Sequence, residues 1–180
     1  ALAFSVMLVF ITNASFIYQE WFGLSSTLFS ALFAANIGAM AIFSLLNRRL
    51  LLHFKSVILL RIYVFIQATA VATLVVFTLA DAPYWAVAAC IIAATGCMGA
   101  LVPNNMANAL EFFPTLGGTA SALLGASQFT VAGIISAGST AVAGSSLVPI
   151  VLIMAACSGG CVLLASGAPA AVRQAKEVAV

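Results

Sequence analysis

The chain has 180 residues, of which 64% are hydrophobic and only 6% are charged. A soluble domain averages about 45–50% apolar and about 25% charged residues, so no water-soluble fold could bury this much apolar surface. Six Lys and Arg residues and four Asp and Glu residues are too few for a soluble enzyme and form no nucleic-acid-binding patch. The composition therefore predicts an integral membrane protein that is surrounded by a lipid bilayer and binds no nucleic acid.

Charge-free windows divide the chain into six candidate membrane spans. A helix needs about 20 apolar residues to cross about 30 Å of hydrocarbon. The longest window, 112–172, is broken in two by residues 144–146 and Pro149. The apolar runs are continuous rather than alternating, which favours helices over β-barrel strands. We predict an all-α membrane bundle over 1–167 and a C-terminal tail over 168–180. The predicted spans are 1–18, 26–46, 57–79, 84–106, 117–142 and 147–167.

The basic residues predict how the spans are oriented. Arg48, Arg49 and Lys55 lie in the 47–56 segment, which we call the basic loop, and two more basic residues follow the last span. The loops on the opposite side contain no Lys or Arg. Under the positive-inside rule the basic loop and the C-terminal tail are cytoplasmic. Because the number of spans is even, residue 1 is predicted to be cytoplasmic as well.

The spans contain neutral polar residues but no ionisable group at mid-depth. This absence argues against a proton relay or an intramembrane enzyme, so we predict no catalytic residue. The four cysteines lie in spans without histidine or carboxylate partners, so we expect neither a metal ion nor a cofactor. Each neutral polar residue either bonds another helix or lines a wet cavity. The sequence leaves both interpretations open for Asn13 and Tyr18 in the first span, Asn36 in the second and Gln128 in the fifth.

The fifth span also contains small residues at a regular spacing. Gly117, Ser121 and Gly125 recur every four residues, so they share one face of a helix. Small residues at this spacing allow two helix backbones to approach closely in a membrane. We therefore predict that this face packs tightly against another helix.

Three stretches resemble a known transporter family. They are 16–25, with its aromatic helix end and Phe-Gly-x-Ser loop, 33–50, with Asn36 and the first basic residues, and 103–129. The last includes Pro-Asn at 103–104, the Gly-rich run 117–125 and Gln128-Phe129. The chain resembles the C-terminal six-helix half of a major facilitator superfamily transporter, and within that superfamily the Bcr/CflA family of drug:proton antiporters.

The resemblance implies a function, a partner and a set of cavity residues. It implies a multidrug exporter of the bacterial inner membrane that acts on small drug-like molecules. The missing N-terminal six-helix half would complete the transporter and couple it to protons. The first, second, fourth and fifth spans would border a central cavity, and Gln67 in the third would be structural. The implied cavity residues are Asn13, Phe16, Tyr18, Asn36, Gln128 and Phe129.

Two alternatives stay open at this point. The chain could come from another major facilitator branch, such as a metabolite or sugar porter, or could be a six-helix membrane protein that does not transport. Its apolar run begins at Ala1, without an initiator Met or basic flank. The simplest interpretation is that the chain is a piece of a longer protein.

Overall fold

The computed structural model describes residues 1–113, 115–144 and 146–178, with side chains described as far as residue 167. Within these ranges the chain is helical with short connections and contains no strand. Six helical segments are long and apolar enough to cross a membrane, which confirms the predicted all-α membrane fold class. The helices are α1 (Leu2–Ser15), α2 (Ser26–Leu50), α3 (Ser56–Leu79), α4 (Tyr84–Gly96), α5 (Met98–Leu110), α6 (Gly117–Ala143) and α7 (Val148–Val178). The predicted tail at 168–180 lies outside the residues whose side chains are described.

Local chemistry sets several helix ends. The Ser25 hydroxyl accepts a hydrogen bond from the backbone N–H of Leu28, which caps the N-terminus of α2. Arg48 and Arg49 lie in the last turn of α2, where cations interact favourably with the helix dipole. Helix α6 ends before Gly144, which has φ +53°. Residues with a side chain rarely adopt this backbone conformation, so glycine suits the position.

The first span changes its winding before it ends. Helix α1 continues directly into a π-helical turn over Phe16–Trp21. A π turn accommodates one extra residue, shifts the following side chains around the helix axis, and is frequent at functional sites. The backbone N–H of Leu24 then bonds the Tyr18 carbonyl at 2.9 Å, which closes the end of the span.

The fourth span is divided into α4 and α5 at Cys97. Pro103 lies inside α5 and has no backbone N–H to donate to the carbonyl of Gly99. A proline ring also crowds the carbonyl four residues before it, so the helix adjusts in the preceding turn. The tightened turn at Cys97, where the N–H of Ala100 bonds the Cys97 carbonyl at 3.0 Å, is consistent with that adjustment.

The helices differ strongly in how much of each is buried. The α4–α5 span is the most buried and α1 is about half buried, whereas α2 and α6 are largely exposed. One cluster of buried side chains joins the second half of α1 to α4 and the start of α7. A second cluster joins the start of α1 to α3 and α5. The bundle is therefore built around the first and fourth spans.

A close backbone contact lies between α2 and the fourth span. A Cβ added at Gly99 would overlap the backbone carbonyl oxygen of Met40, and one at Gly96 would lie 3.0 Å from both the Ala39 Cβ and a Phe43 ring carbon. Only glycine at these positions allows the two backbones to come so close. Glycines therefore do serve helix packing in this bundle, but in the fourth span.

No helix of the described chain packs against the start of α6, so the tight packing expected there stays a prediction. A Cβ added at Gly117 or Gly125 would have no atom of another part of the described chain within 4 Å. Ser121 is partly exposed and its hydroxyl bonds the Gly118 carbonyl of its own helix. The reason is that α6 contacts α1 through its second half, where its buried residues lie, while its first half lies at an open face of the bundle.

Candidate functional site

The structure places five of the six predicted cavity residues in three neighbouring positions, and the sixth, Phe16, begins the π turn. Asn13 lies between α1 and α6, and Tyr18 and Asn36 lie together between the π turn and α2. Gln128 and Phe129 lie on α6 beside the start of α1. Each place includes a part of the first span. That span therefore positions the candidate site.

Asn13 connects α1 to α6 through hydrogen bonds. Its amide nitrogen donates to the Ser139 hydroxyl at 2.9 Å and to the Val9 carbonyl at 2.8 Å. One turn away, the hydroxyls of Thr12 and Ser136 are 2.6 Å apart. Asn13 is only 3% exposed. Its polar atoms are thus engaged in joining two helices, which is the interhelical alternative that the sequence left open.

Asn36 connects α2 to α4 in a similar way. Its side-chain oxygen accepts a hydrogen bond from the Thr95 hydroxyl at 2.7 Å, and its amide nitrogen donates to the Leu32 carbonyl at 2.8 Å. Thr95 was not singled out from the sequence. A lone threonine in an apolar run gives no signal of its own, since the residue that it bonds is 59 positions away.

The Tyr18 hydroxyl is buried beside the Asn36 side chain. The residue is fully buried, and in the described part of the chain its hydroxyl makes no hydrogen bond of good geometry, although the Asn36 side chain lies close enough to interact with it. A buried phenol normally finds a partner, because an unpaired one costs about 1–3 kcal/mol. A molecule that reached this position would compete with Asn36 for the hydroxyl.

Aromatic rings surround this hydroxyl. The rings of Phe10 and Phe29 lie 6.0 and 6.2 Å from the Tyr18 ring, and Phe33 stacks on Phe10 at 6.3 Å. Phe16 is half-buried at the start of the π turn and packs against the same cluster. Aromatic rings with a few fixed polar groups are typical of sites for small organic molecules. We call Tyr18, Asn36, Thr95 and these phenylalanines the aromatic cluster.

Gln128 lies at a separate cavity of about 340 Å³. The walls come from the start of α1, from α3, α5 and α6, and from the middle of α7, and include Phe4, Asn105 and Cys161. Phe129, on the adjacent face of α6, is 61% exposed and meets the ring of Phe4 edge-on at 4.8 Å. Gln128 is thus at the border between the bundle interior and its open face.

A buried asparagine pair joins α2 to α5 near the basic loop. Asn104 donates to the Asn47 oxygen at 2.8 Å, and Asn47 donates back to the Asn104 oxygen at 3.2 Å. The Ser56 hydroxyl at the start of α3 also bonds the Asn104 oxygen, at 3.2 Å. Sequence reasoning noted Asn104 beside Pro103 but could not pair it with a residue 57 positions away.

Gln67 in α3 is fully buried. Its amide nitrogen donates to the Ala94 carbonyl at 3.2 Å and lies 3.4 Å from the Ala3 carbonyl. It therefore joins α3 to the first and fourth spans, as the structural role implied by the resemblance requires.

The chemistry of the site is neutral in the part of the chain that is described. Its polar groups are amides and hydroxyls, and no group of three or more His, Cys, Asp or Glu residues capable of holding a metal ion occurs there. Such groups can donate and accept hydrogen bonds. The arrangement suits binding of an uncharged or weakly charged molecule.

Comparison with known proteins gives one informative match. No protein-family model matches the chain, and no solved structure matches it. Among curated proteins, the Bicyclomycin resistance protein homolog of Haemophilus influenzae is 29% identical over 155 residues, which are 86% of this chain. The chain resembles a bicyclomycin resistance protein homolog. This similarity confirms the predicted resemblance to the Bcr/CflA drug-resistance family.

The match covers only part of the relative. The aligned residues are 39% of the length of the Haemophilus protein, so the chain spans about two fifths of it. The six candidate spans of this chain are consistent with half of a transporter of that kind.

Proposed function

We propose that the chain is the C-terminal half of a membrane transporter that exports drug-like molecules. The observation that carries this proposal is the similarity to a protein named for bicyclomycin resistance, over most of this chain and about two fifths of that protein. Six apolar helices with a neutral, aromatic site agree with it. The rest of the transporter would be a second six-helix half.

The proposed mechanism is movement of two bundles against each other. In transporters built from repeated halves, the substrate binds near the middle of the membrane at the interface between the halves, and rocking exposes it alternately to each side. The exposed helices α2 and α6 would face the other half. The substrate would then meet Phe129 and Gln128 on α6, and the Tyr18 hydroxyl, which is buried here, would donate a hydrogen bond to it once the helices move.

We further propose that the transporter lies in the bacterial inner membrane with the basic loop and the C-terminus in the cytoplasm. The distribution of Lys and Arg supports this orientation. Proton coupling would reside in the missing half. Glu20, Asp81 and Glu111 lie outside the helices or at their ends, so none is at a depth that both sides of the membrane could reach in turn.

Substitutions in the full-length protein test the proposed binding site. Tyr18→Phe removes only the hydroxyl and should reduce resistance to some exported compounds by about fivefold, the value of one hydrogen bond of about 1 kcal/mol. Gln128→Ala should also change the range of compounds. Tyr63→Phe, in a helix that the resemblance places away from the cavity, is the matched control and should have no effect.

Each variant must be expressed at the level of the unchanged protein for its resistance to be compared. Resistance to bicyclomycin and to several unrelated drugs would be measured together with uptake of sugars and metabolites. Unchanged drug resistance in both cavity variants would assign Tyr18 and Gln128 to structure. Transport of a sugar or metabolite but no drug would replace the export function with that of another porter.

A further inference from the structure

A cavity that the transport proposal does not use lies at the basic loop. It has a volume of about 630 Å³ and opens between residues 51–57 and the end of α5. Asn108 and Glu111 form its opposite wall. The cavity lies at the ends of α2, α3 and α5, at the level where a membrane presents its headgroups. Its volume is enough for a phospholipid headgroup.

Positive charge is concentrated around this cavity. Lys55 lines it, and Arg48 and Arg49 lie in the preceding turn of α2. Glu111 is the one acidic residue in its lining. Lys55 is also the N-cap of α3, whose first backbone N–H groups add partial positive charge beside it. This distribution is complementary to a phosphate group.

Further polar atoms are available on the wall that α5 provides. The side-chain nitrogen and oxygen of Asn108 are both buried, and neither has a hydrogen-bond partner within the described residues. The Asn108 amide can donate to a phosphate oxygen or accept from a hydroxyl. The Glu111 carboxylate is an acceptor for a hydroxyl group. A headgroup that contains both a phosphate and hydroxyls would provide hydrogen-bond partners for the polar atoms of this wall.

Apolar side chains flank the same opening. Leu52 is 81% exposed, and Leu51 and Phe54 are also exposed, although they alternate with basic residues in a five-residue connection. Exposure of this apolar surface to water is unfavourable in free energy, whereas the acyl chains next to a headgroup would cover it. A site with both polar and apolar features is suited to an amphiphilic ligand rather than to a free ion.

We infer that the cavity at the basic loop binds the headgroup of an anionic phospholipid of the adjoining leaflet. The phosphate lies against Lys55, headgroup hydroxyls bond Asn108 and Glu111, and the acyl chains run beside Leu52 and Phe54. The site is independent of the transport function, because its residues are distinct from those of the aromatic cluster and of the Gln128 cavity.

Native mass spectrometry of the detergent-solubilised chain tests this inference. The chain is titrated with phosphatidylglycerol, with phosphatidylcholine of the same acyl chains, and with glycerol phosphate. Phosphatidylglycerol should bind more tightly than phosphatidylcholine, and glycerol phosphate should not compete at equal concentration. Lys55→Gln should weaken phosphatidylglycerol binding about fivefold, as expected for one basic residue at a membrane surface.

Arg61→Gln is the matched control, since it removes one positive charge from α3 without touching the cavity. It should weaken binding less than Lys55→Gln does, because Arg61 does not line the cavity. Asn108→Ala removes no charge and should weaken binding about fivefold through lost hydrogen bonds. Retained helicity by circular dichroism is required of each variant. Equal losses in Arg61→Gln and Lys55→Gln would overturn the inference in favour of diffuse attraction. Equal binding of phosphatidylcholine, or competition by glycerol phosphate, would also overturn it.

Discussion

Alanine at Gly99 should force α5 away from α2. The added Cβ would overlap the Met40 carbonyl oxygen, which is backbone and cannot rotate aside, so the helices must separate by about 1 Å to reach normal contact. Overpacking of this kind costs about 1–3 kcal/mol. The same substitution also improves helix propensity by about 0.5–1 kcal/mol.

Gly125→Ala is the matched control for that prediction. It gives the same gain in helix propensity, but no other part of the described chain lies within 4 Å of the added Cβ. The propensity terms cancel, so Gly99→Ala should be less stable than Gly125→Ala by about 1–3 kcal/mol. Unfolding by SDS in mixed micelles, followed by circular dichroism, gives both free energies. Equal stability of the two variants would refute the close contact between α2 and α5.

The remaining predictions concern hydrogen bonds, topology and Tyr18. Asn47→Ala and Asn104→Ala, combined in a double-mutant cycle, should show a coupling energy of about 0.6–1.7 kcal/mol in the free energy of unfolding. Losses that simply add would mean that the hydrogen-bonded pair is not formed. A cysteine placed at position 55 should be inaccessible to an impermeant thiol reagent added outside cells, and one at position 22 should be labelled; the reverse pattern would invert the proposed orientation. Tyr18→Phe should leave the stability unchanged or slightly raised, because it removes a buried hydroxyl that makes no hydrogen bond of good geometry. A loss of more than about 1 kcal/mol would instead show that its interaction with Asn36 is a strong hydrogen bond.

The fold class could be predicted from the sequence because charge and hydropathy distinguish whole membrane spans from the loops between them. Ten formal charges and long apolar runs leave few ways to place six helices in a membrane. The turn at Cys97 and the π turn at Phe16–Trp21 were not predicted. Both depend on how a helix fits its neighbours, and local propensity does not encode that fit.

The packing of small residues is the clearest example of what the sequence could not predict. Spacing alone indicates that a helix face can approach another backbone, but not that a partner lies opposite. The regular stripe at 117–125 faces no other part of the described chain, whereas the inconspicuous pair Gly96 and Gly99 makes the close contact. The hydrogen bonds of Asn36 and Asn104 were hidden for a related reason, since their partners are 59 and 57 residues away.

The most direct test of the proposed half-transporter is drug flux in proteoliposomes. Vesicles would contain either the full-length protein or the 180-residue chain alone, and would be given a pH gradient and ethidium as a fluorescent drug. The full-length protein should move ethidium in a manner that an uncoupler abolishes. The chain alone should show no proton-dependent flux, because it has no ionisable group at mid-depth and no second bundle to move against. Uncoupler-sensitive flux by the chain alone, or none by the full-length protein, would contradict the proposal.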